Sequence, residues 1–358
     1  MKLLFYISTI RGGGAGRVLI NLANYMVSTG HNVCFVTNFP SEEDYCLDDR
    51  VDRRNVEKFE GEYKKINQNP VRIFALRKIM KEVNPDVCLS FMGENNVRLL
   101  LANILLKKKC IVSVRNDPNK EYCSLPLRIL AKILYCKADG IVFQTEDAKS
   151  WFSHKIQGKS QIIMNAVDER FFKINLDENR MNIVAVGRLS GQKNFMMLIR
   201  AYSRIAGLIQ DDLLIYGEGS LHDEIQEKID EYGLHDRIHL MGTTADVPGV
   251  LKKAKAFVMS SDYEGMPNAL MEALAVGVPS ISTDCPCGGP RMLIKNGYNG
   301  ILVPVGDSDK LAEAMKRILE NAALANEFSK NAKNGANEFR SDKIFKCWQK
   351  YIEGIMNT

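Results

Sequence analysis

The chain has 358 residues, which at roughly 150 residues per domain makes about two domains, each able to bury a real core. That length excludes a small disulfide-stapled scaffold, and 46% hydrophobic with 25% charged residues excludes a disordered or fibrous chain. The net charge of +5 sits in the first half, with 26 Lys and Arg against 19 Asp and Glu over residues 1–170 and 22 against 24 over 171–358. That excess points the first half toward an anionic partner such as a phosphorylated lipid or a membrane surface, a solvated face being the plainer reading of so small an excess. With no aromatic-basic stripe beside it, it does not make a nucleic-acid binder.

The first segment, Met1 to Ile10, runs into Arg11 and a glycine cluster without a cleavage-like site and reads as a buried strand rather than a leader. No stretch offers the ~18 uninterrupted apolar residues of a membrane span, so any membrane contact is expected to be peripheral. The nine cysteines are odd in number and scattered, and Cys285 and Cys287 lack the two-residue spacer of zinc or redox motifs. Reduced thiols of a cytosolic protein are expected, with the inner face of the cell membrane as a possible working place.

Apolar runs alternate with amphipathic helical stretches from end to end, the pattern of parallel sheets covered by helices. In the first half, strands are predicted at Lys2–Ser8, Asn32–Thr37, Asp86–Phe91, Cys110–Val114 and Gly140–Gln144, with helices at Arg17–Val27, Val71–Glu82 and Leu127–Lys137. The pattern restarts at Asn182–Gly187 and continues with Asp212–Gly217, Arg237–Met241, Ala256–Ser260, Ser280–Thr283 and Gly300–Val303. Two Rossmann-like α/β domains, doubly wound and facing across a cleft, follow: residues 1–168 and 169–340, with 341–358 as a helix returning to the first. Ligands of such sheets bind beyond the carboxyl ends of the strands.

Three motifs fall at those strand ends. Gly12-Gly13-Gly14-Ala15-Gly16 lies between the first strand and its helix, where bare backbone and unpartnered helix amides meet an anion. A flexible turn would use the same glycines. The dinucleotide fingerprint is broken, since Arg17 stands where its third glycine belongs and Val36-Thr37-Asn38 lacks the ribose-binding acid. No P-loop occurs. The second motif, Gly187-Arg188-Leu189-Ser190-Gly191-Gln192-Lys193, brings an Arg fork and a Lys point charge to a helix start, which suits a diphosphate. Two solvated surface cations are the plainer reading.

The third motif runs from Asp262 through Glu264-Gly265-Met266-Pro267-Asn268-Ala269-Leu270 to Glu272. Pro267 suits the first turn of a helix, and Glu272 lies among apolar neighbours, where a carboxylate needs hydrogen-bond donors. Ligand hydroxyls or a basic side chain would supply them. Asp307-Ser308-Asp309 matches a metal-binding Asp-x-Asp but stands directly before a helix, where Asp and Ser cap. No metal or other cofactor is expected.

Taken together these residues resemble the retaining glycosyltransferases of the GT-B type, family 4, over nearly the whole chain. Asn165-Ala166-Val167-Asp168 with Phe171, Gly217-Glu218-Gly219-Ser220, Gly242-Thr243, Pro279 to Asp284 and Gly297-Tyr298-Asn299-Gly300 extend the likeness, and Glu264-x7-Glu272 is its most specific element. The resemblance implies that Arg188 and Lys193 hold the donor diphosphate, Glu264 the transferred sugar and Glu272 the ribose. It further implies that the amides of Gly265, Met266, Pro267, Asn268, Ala269 and Leu270 line the donor site, Pro267 lacking an N–H of its own, and that Gly13 and Gly14 close over it.

It also implies transfer of a hexose or N-acetylhexosamine, with UDP the leading carrier, to a lipid-diphosphate-linked or growing glycan of bacterial polysaccharide synthesis. The stretch from Phe74 to Phe91 looks like that of surface-polysaccharide and glycan-lipid transferases. One departure stands out. Many family members place a histidine after the fourth or fifth strand, whereas this chain has Ser113-Val114-Arg115-Asn116-Asp117. Arg115 stays protonated and is no general base; with Asn116 it is a candidate for a phosphate or an acceptor hydroxyl. The basic amphipathic segment Leu125–Lys137 is a candidate for an anionic bilayer, or a core-facing helix with exposed cations. A sugar-nucleotide 2-epimerase of the same fold and a non-catalytic sugar-nucleotide-binding protein are the alternatives.

Overall fold

The computed structural model describes residues 1–10, 13–40, 46–59, 61–62 and 68–357. The chain divides into two units, Met1–Asn165 with Asp342–Thr358, and Ala166–Ser341. The division falls after Asn165 rather than after Asp168, and after Ser341 rather than after Arg340. The backbone gives the reason: Val167 N–H bonds Phe339 O at 2.9 Å and Ser341 N–H bonds Val167 O at 3.1 Å, which ties both ends of the second unit together.

The first unit is built on a seven-stranded parallel sheet of β1 (Lys2–Tyr6), β2 (Asn32–Thr37), β3 (Asp52–Asn55), β4 (Val87–Phe91), β5 (Lys109–Ser113), β6 (Gly140–Phe143) and β7 (Ser160–Ile162), in the order β3-β2-β1-β4-β5-β6-β7. The central strands are continuous apolar runs because helices cover both faces of a parallel sheet. The edge strands β3 and β7 were absent from the sequence expectation, since Asp-Arg-Arg-Asn and Ser-Gln-Ile carry no such run. The helix Gly14–Ser28 lays Val18, Leu19, Leu22, Ala23 and Met26 into the core.

That helix begins three residues before the expected Arg17. Glycine is tolerated in a first turn whose amides need no intrahelical partner, and a Cβ on Gly16 would stand a tight 3.2 Å from Ile10 Cα. The helix Ser341–Met356 buries Ile344, Phe345, Trp348 and Ile352 on one face. Phe345 meets Tyr25 at 5.3 Å between ring centroids, Trp348 meets Phe91 at 5.6 Å, and the Tyr351 hydroxyl accepts from Ile141 N–H at 2.8 Å, so the last helix belongs to the first unit.

The second unit carries six parallel strands, β8 (Met181–Val186), β9 (Leu213–Tyr216), β10 (Ile238–Leu240), β11 (Ala254–Met259), β12 (Ser280–Thr283) and β13 (Ile301–Val303), ordered β10-β9-β8-β11-β12-β13. Ile183, Ala185, Ile215, Val258 and Ile281 form its core with Leu198 and Tyr202 of the helix Phe195–Ser203 and Leu311 and Met315 of Ser308–Glu320. Strand order reverses between β1 and β4 in the first sheet and between β8 and β11 in the second. At such switch points the connections leave in opposite directions and open a crevice at the carboxyl ends.

Candidate active site

The crevice of the second sheet lies where β8 and β11 end. After β8 the chain turns at Gly187, whose N–H bonds Tyr216 O at 2.9 Å, and Leu189 N–H bonds Glu218 O at 2.9 Å. This turn packs so closely on the next one that a Cβ on Gly217, at φ 142°, would meet Gly187 O at 1.9 Å. Here glycine is a steric requirement, and it holds Arg188 at the exposed rim of the turn. A short 3-10 turn, Gly191–Lys193, follows, and Asn194 in a left-handed conformation caps the helix Phe195–Ser203 by accepting from Met197 N–H at 3.1 Å.

The segment after β11 is bonded to that turn at four points. Asn194 Nδ2 donates to Asp262 Oδ1 at 2.7 Å, Asp262 N–H to Gln192 O at 2.9 Å, Gln192 Nε2 to Tyr263 O at 3.0 Å, and Ser260 Oγ to Lys193 O at 2.8 Å. Lys193 is thereby brought onto Glu264: its Nζ donates to Oε1, and Ser261 Oγ donates to the same oxygen at 2.8 Å. The Glu264 side chain is 8% exposed and that of Lys193 19%. Burial, with the Glu264 charge adding to it, pushes the Cys285 thiol beside them up to about 12.

Gly265, Met266 and Pro267 are buried, and Asn268 and Ala269 half-buried, at the start of the helix Asn268–Val276. Pro267 is the N-cap of that helix rather than a residue of its first turn. A Cβ on Gly289 would meet Gly265 O at 1.8 Å, so the loop is braced from behind. Glu272 lies one turn into the helix beside buried Leu270 and is itself 4% exposed. The unit therefore assembles Arg188, Lys193, Glu264, the Gly265–Leu270 segment and Glu272 on two adjacent strand ends. Ser261 and Asp262, which sequence reasoning did not assign a role, complete it; their signal was a Ser-Ser-Asp run directly after a strand. Asp307 and Asp309 are otherwise engaged, Asp307 capping the helix Ser308–Glu320 through Lys310 N–H at 2.9 Å and Asp309 pairing with Arg204.

The remaining candidates lie in the first unit. Gly13 is the N-cap and Gly14 the first residue of the helix Gly14–Ser28, and Gly12 lies outside the described residues. Arg115 follows β5 and is buried. Its guanidinium sits 4.1 Å over the Phe91 ring, donates to Asn165 Oδ1, and reaches Ser113 Oγ at 3.4 Å, all neutral partners. Burial pushes its pKa down to about 9, the Glu121 carboxylate working the other way. Asn116 caps locally, its Oδ1 accepting from Asp117 N–H at 2.9 Å.

A parallel two-sheet fold thus carries two cations and two buried carboxylates beside the switch point of its second sheet. Residues 12–171 match the sequence model of Glycosyltransferase Family 4, and residues 166–335 that of glycosyl transferases group 1. The chain belongs to the GT-B glycosyltransferases of the family-4 type. A Campylobacter jejuni relative, GalNAc-alpha-(1->4)-GalNAc-alpha-(1->3)-diNAcBac-PP-undecaprenol alpha-1,4-N-acetyl-D-galactosaminyltransferase, is 28% identical over 366 residues covering 100% of both chains. A second from that organism, N-acetylgalactosamine-N,N'-diacetylbacillosaminyl-diphospho-undecaprenol 4-alpha-N-acetylgalactosaminyltransferase, is 29% identical over 82% of this chain and 85% of its own. HepE of Anabaena, solved with UDP, superposes with a TM-score of 0.82 at 17% identity over 99% of this chain and 100% of its own. Sucrose-phosphate synthase of Thermosynechococcus elongatus gives 0.87 at 16% over 100% of both, and these two likenesses bear on fold.

Proposed function

We propose that this glycosyltransferase moves a hexose or N-acetylhexosamine from a UDP sugar to a lipid-diphosphate-linked glycan, with retention of configuration and without a metal. The observation that carries the reading is the Lys193–Glu264 pair at the β8/β11 switch point, with Arg188 on the rim of the same turn. A diphosphate leaving group needs positive charge, and the ammonium held by Glu264, with the guanidinium on the rim of the same turn, supplies it. Glu264 keeps the ammonium in place and presents a carboxylate to sugar hydroxyls. Glu272 accepts from the ribose. In a same-face transfer the bond from the anomeric carbon to the phosphate oxygen breaks, the acceptor oxygen bonds that carbon, and its proton passes to the departing phosphate.

The acceptor side is assigned to the first unit. The guanidinium of Arg115 is buried and its own hydrogen bonds go to neutral partners, with the nearby Glu121 carboxylate offsetting the burial only in part; an anionic ligand would offset the rest, so Arg115 is read as a phosphate- or acceptor-binding group with Asn116 beside it. The helix Leu125–Tyr135 supports contact with an anionic membrane surface: it buries Ala131, Leu134 and Tyr135 while leaving Leu125, Ile129, Leu130 and Ile133 exposed, and it has cations but no acid. Among the described residues no helix is long and apolar enough to cross a membrane. The lipid-linked acceptors in the names of the Campylobacter relatives agree with this reading.

Calorimetry with UDP and GDP tests it. UDP should bind the wild-type chain and bind Lys193→Ala at least roughly tenfold more weakly. Binding of neither nucleotide, or of GDP alone, would remove the UDP donor assignment.

A further inference from the structure

We infer that Glu121 is a positioning residue for transfer, whose carboxylate, as the anion, clamps the Met92–Gly93 turn after β4 to the Arg115–Asn116 turn after β5 and so fixes where the Arg115 guanidinium stands. This rests on the reading of Arg115 as an acceptor-side group. Glu121 ends the short helix Pro118–Glu121, which Asp117 caps by accepting from Asn119 N–H at 2.9 Å. One carboxylate oxygen accepts from Gly93 N–H, the first amide of the helix Gly93–Asn103, where the helix dipole favours an anion. The other accepts from Arg115 N–H at 3.3 Å and Asn116 N–H at 3.1 Å.

Both oxygens thus face donors only. A proton on either one would confront an N–H, and one of the two turns would have to be let go.

The surroundings are shaped for this contact. A Cβ on Gly93 would stand 2.5 Å from Tyr122 Cε1 and 3.2 Å from Glu121 Cγ, so glycine alone admits the clamp. Met92 before it holds φ at 75°, a conformation that a non-glycine residue keeps only where its surroundings impose it. Behind Glu121, Tyr122 and Tyr135 share a hydroxyl hydrogen bond at 2.7 Å, and Asn96 Nδ2 donates to Tyr135 at 2.8 Å and to Ser113 O at 2.8 Å.

The charged and titratable groups around the clamp are Arg115 on its own turn, Asp117 at the cap, Tyr122 beside it, Tyr135 from the helix Leu125–Tyr135, and Glu94 in the first turn of Gly93–Asn103. Burial pushes Glu121 up to about 7, while the three N–H bonds and Arg115 pull it back. Its anionic fraction, and with it the clamp, therefore grows as pH rises through neutrality.

Trp151 reports on this segment, since its ring stacks on Tyr122 at 5.5 Å and its indole N–H donates to Asn119 at 2.9 Å. With both tryptophans replaced by 5-fluorotryptophan, and Trp151 assigned through Trp151→Phe, the Trp151 fluorine signal should shift with a midpoint near 7 in the wild type and stay flat in Glu121→Gln. Transfer by the pair that turns over in a panel of UDP-hexoses and UDP-N-acetylhexosamines with lipid-diphosphate-linked glycans should show an acid limb with the same midpoint. Glu121→Gln should lose that limb and run roughly ten- to hundredfold slower at alkaline pH, a misplacement effect, with UDP affinity unchanged. Glu121→Asp, which keeps the charge, should keep the limb. A wild-type signal that is flat across neutral pH, an identical titration in Glu121→Gln, or an unaltered rate profile in that variant overturns the inference. If the wild type turns over no donor and acceptor of that panel, the substrate reading fails while the fluorine titration still decides the clamp.

Discussion

Lys193 and Glu264, 71 residues apart in sequence, share a hydrogen-bonded ion pair at adjoining strand ends, with Ser261 bonded to the same carboxylate oxygen at 2.8 Å. Removing one partner of such a pair leaves the other buried without its counter-charge. Lys193→Met should therefore cost about 3 kcal/mol of stability, near the lower end for buried pairs because the ammonium is partly exposed. Lys193→Met combined with Glu264→Gln should recover most of that loss and still fail to bind UDP. Denaturant unfolding of the four species of the cycle measures it, and strictly additive losses would show that the pair is not coupled.

The two glutamates should separate by function. Glu264, in the loop before the helix, is expected to act on the transferred sugar, so Glu264→Gln lowers turnover heavily and changes UDP affinity little. Glu272, a turn into the helix, is expected to accept from the ribose. Loss of a hydrogen bond to a charged acceptor costs about 1.5–3 kcal/mol, so Glu272→Gln should weaken UDP binding roughly ten- to hundredfold. Wild-type UDP affinity in a folded Glu272→Gln protein would remove that carboxylate from the ribose.

Chelation should leave activity standing. Arg188 and Lys193 are the cations assigned to the diphosphate, and Asp307 and Asp309 are a helix cap and an ion-pair partner. Turnover in excess EDTA should match that in buffer. Abolition, with rescue by magnesium or manganese, contradicts the metal-free proposal.

Lipid contact is expected through the exposed face of the helix Leu125–Tyr135. The protein should float with anionic vesicles, less so as salt rises, and Ile129→Asp with Ile133→Asp should reduce flotation while leaving UDP binding intact. Equal and salt-insensitive absence from anionic and neutral vesicles counts against the membrane proposal.

Most of the fold was legible in the sequence because its central strands are unbroken apolar runs, and Asn32–Thr37 and Ser280–Thr283 fall where periodicity puts them. Edge strands escaped for the opposite reason: β3 is Asp-Arg-Arg-Asn, exposed and held by pairing with β2. Arg188, Lys193, Glu264 and Glu272 were legible as residue types at strand ends. Their pairing was not, because it depends on which strands lie side by side; β8 and β11 are neighbours in space only. Glu121 was invisible for a related reason. Its partners are backbone amides of Gly93, Arg115 and Asn116, and side-chain identity carries no trace of such bonds.

The central claim, sugar transfer from a nucleotide donor with retention, is tested most directly by incubating the protein with a panel of UDP-hexoses and UDP-N-acetylhexosamines and lipid-diphosphate-linked glycans and determining the new linkage by NMR. The account predicts a lipid-linked product extended by one sugar in the donor's own anomeric configuration, formed with UDP and absent for Lys193→Ala. An inverted linkage contradicts retention. Release of UDP or of an epimerised donor at the same rate with and without acceptor contradicts transfer itself.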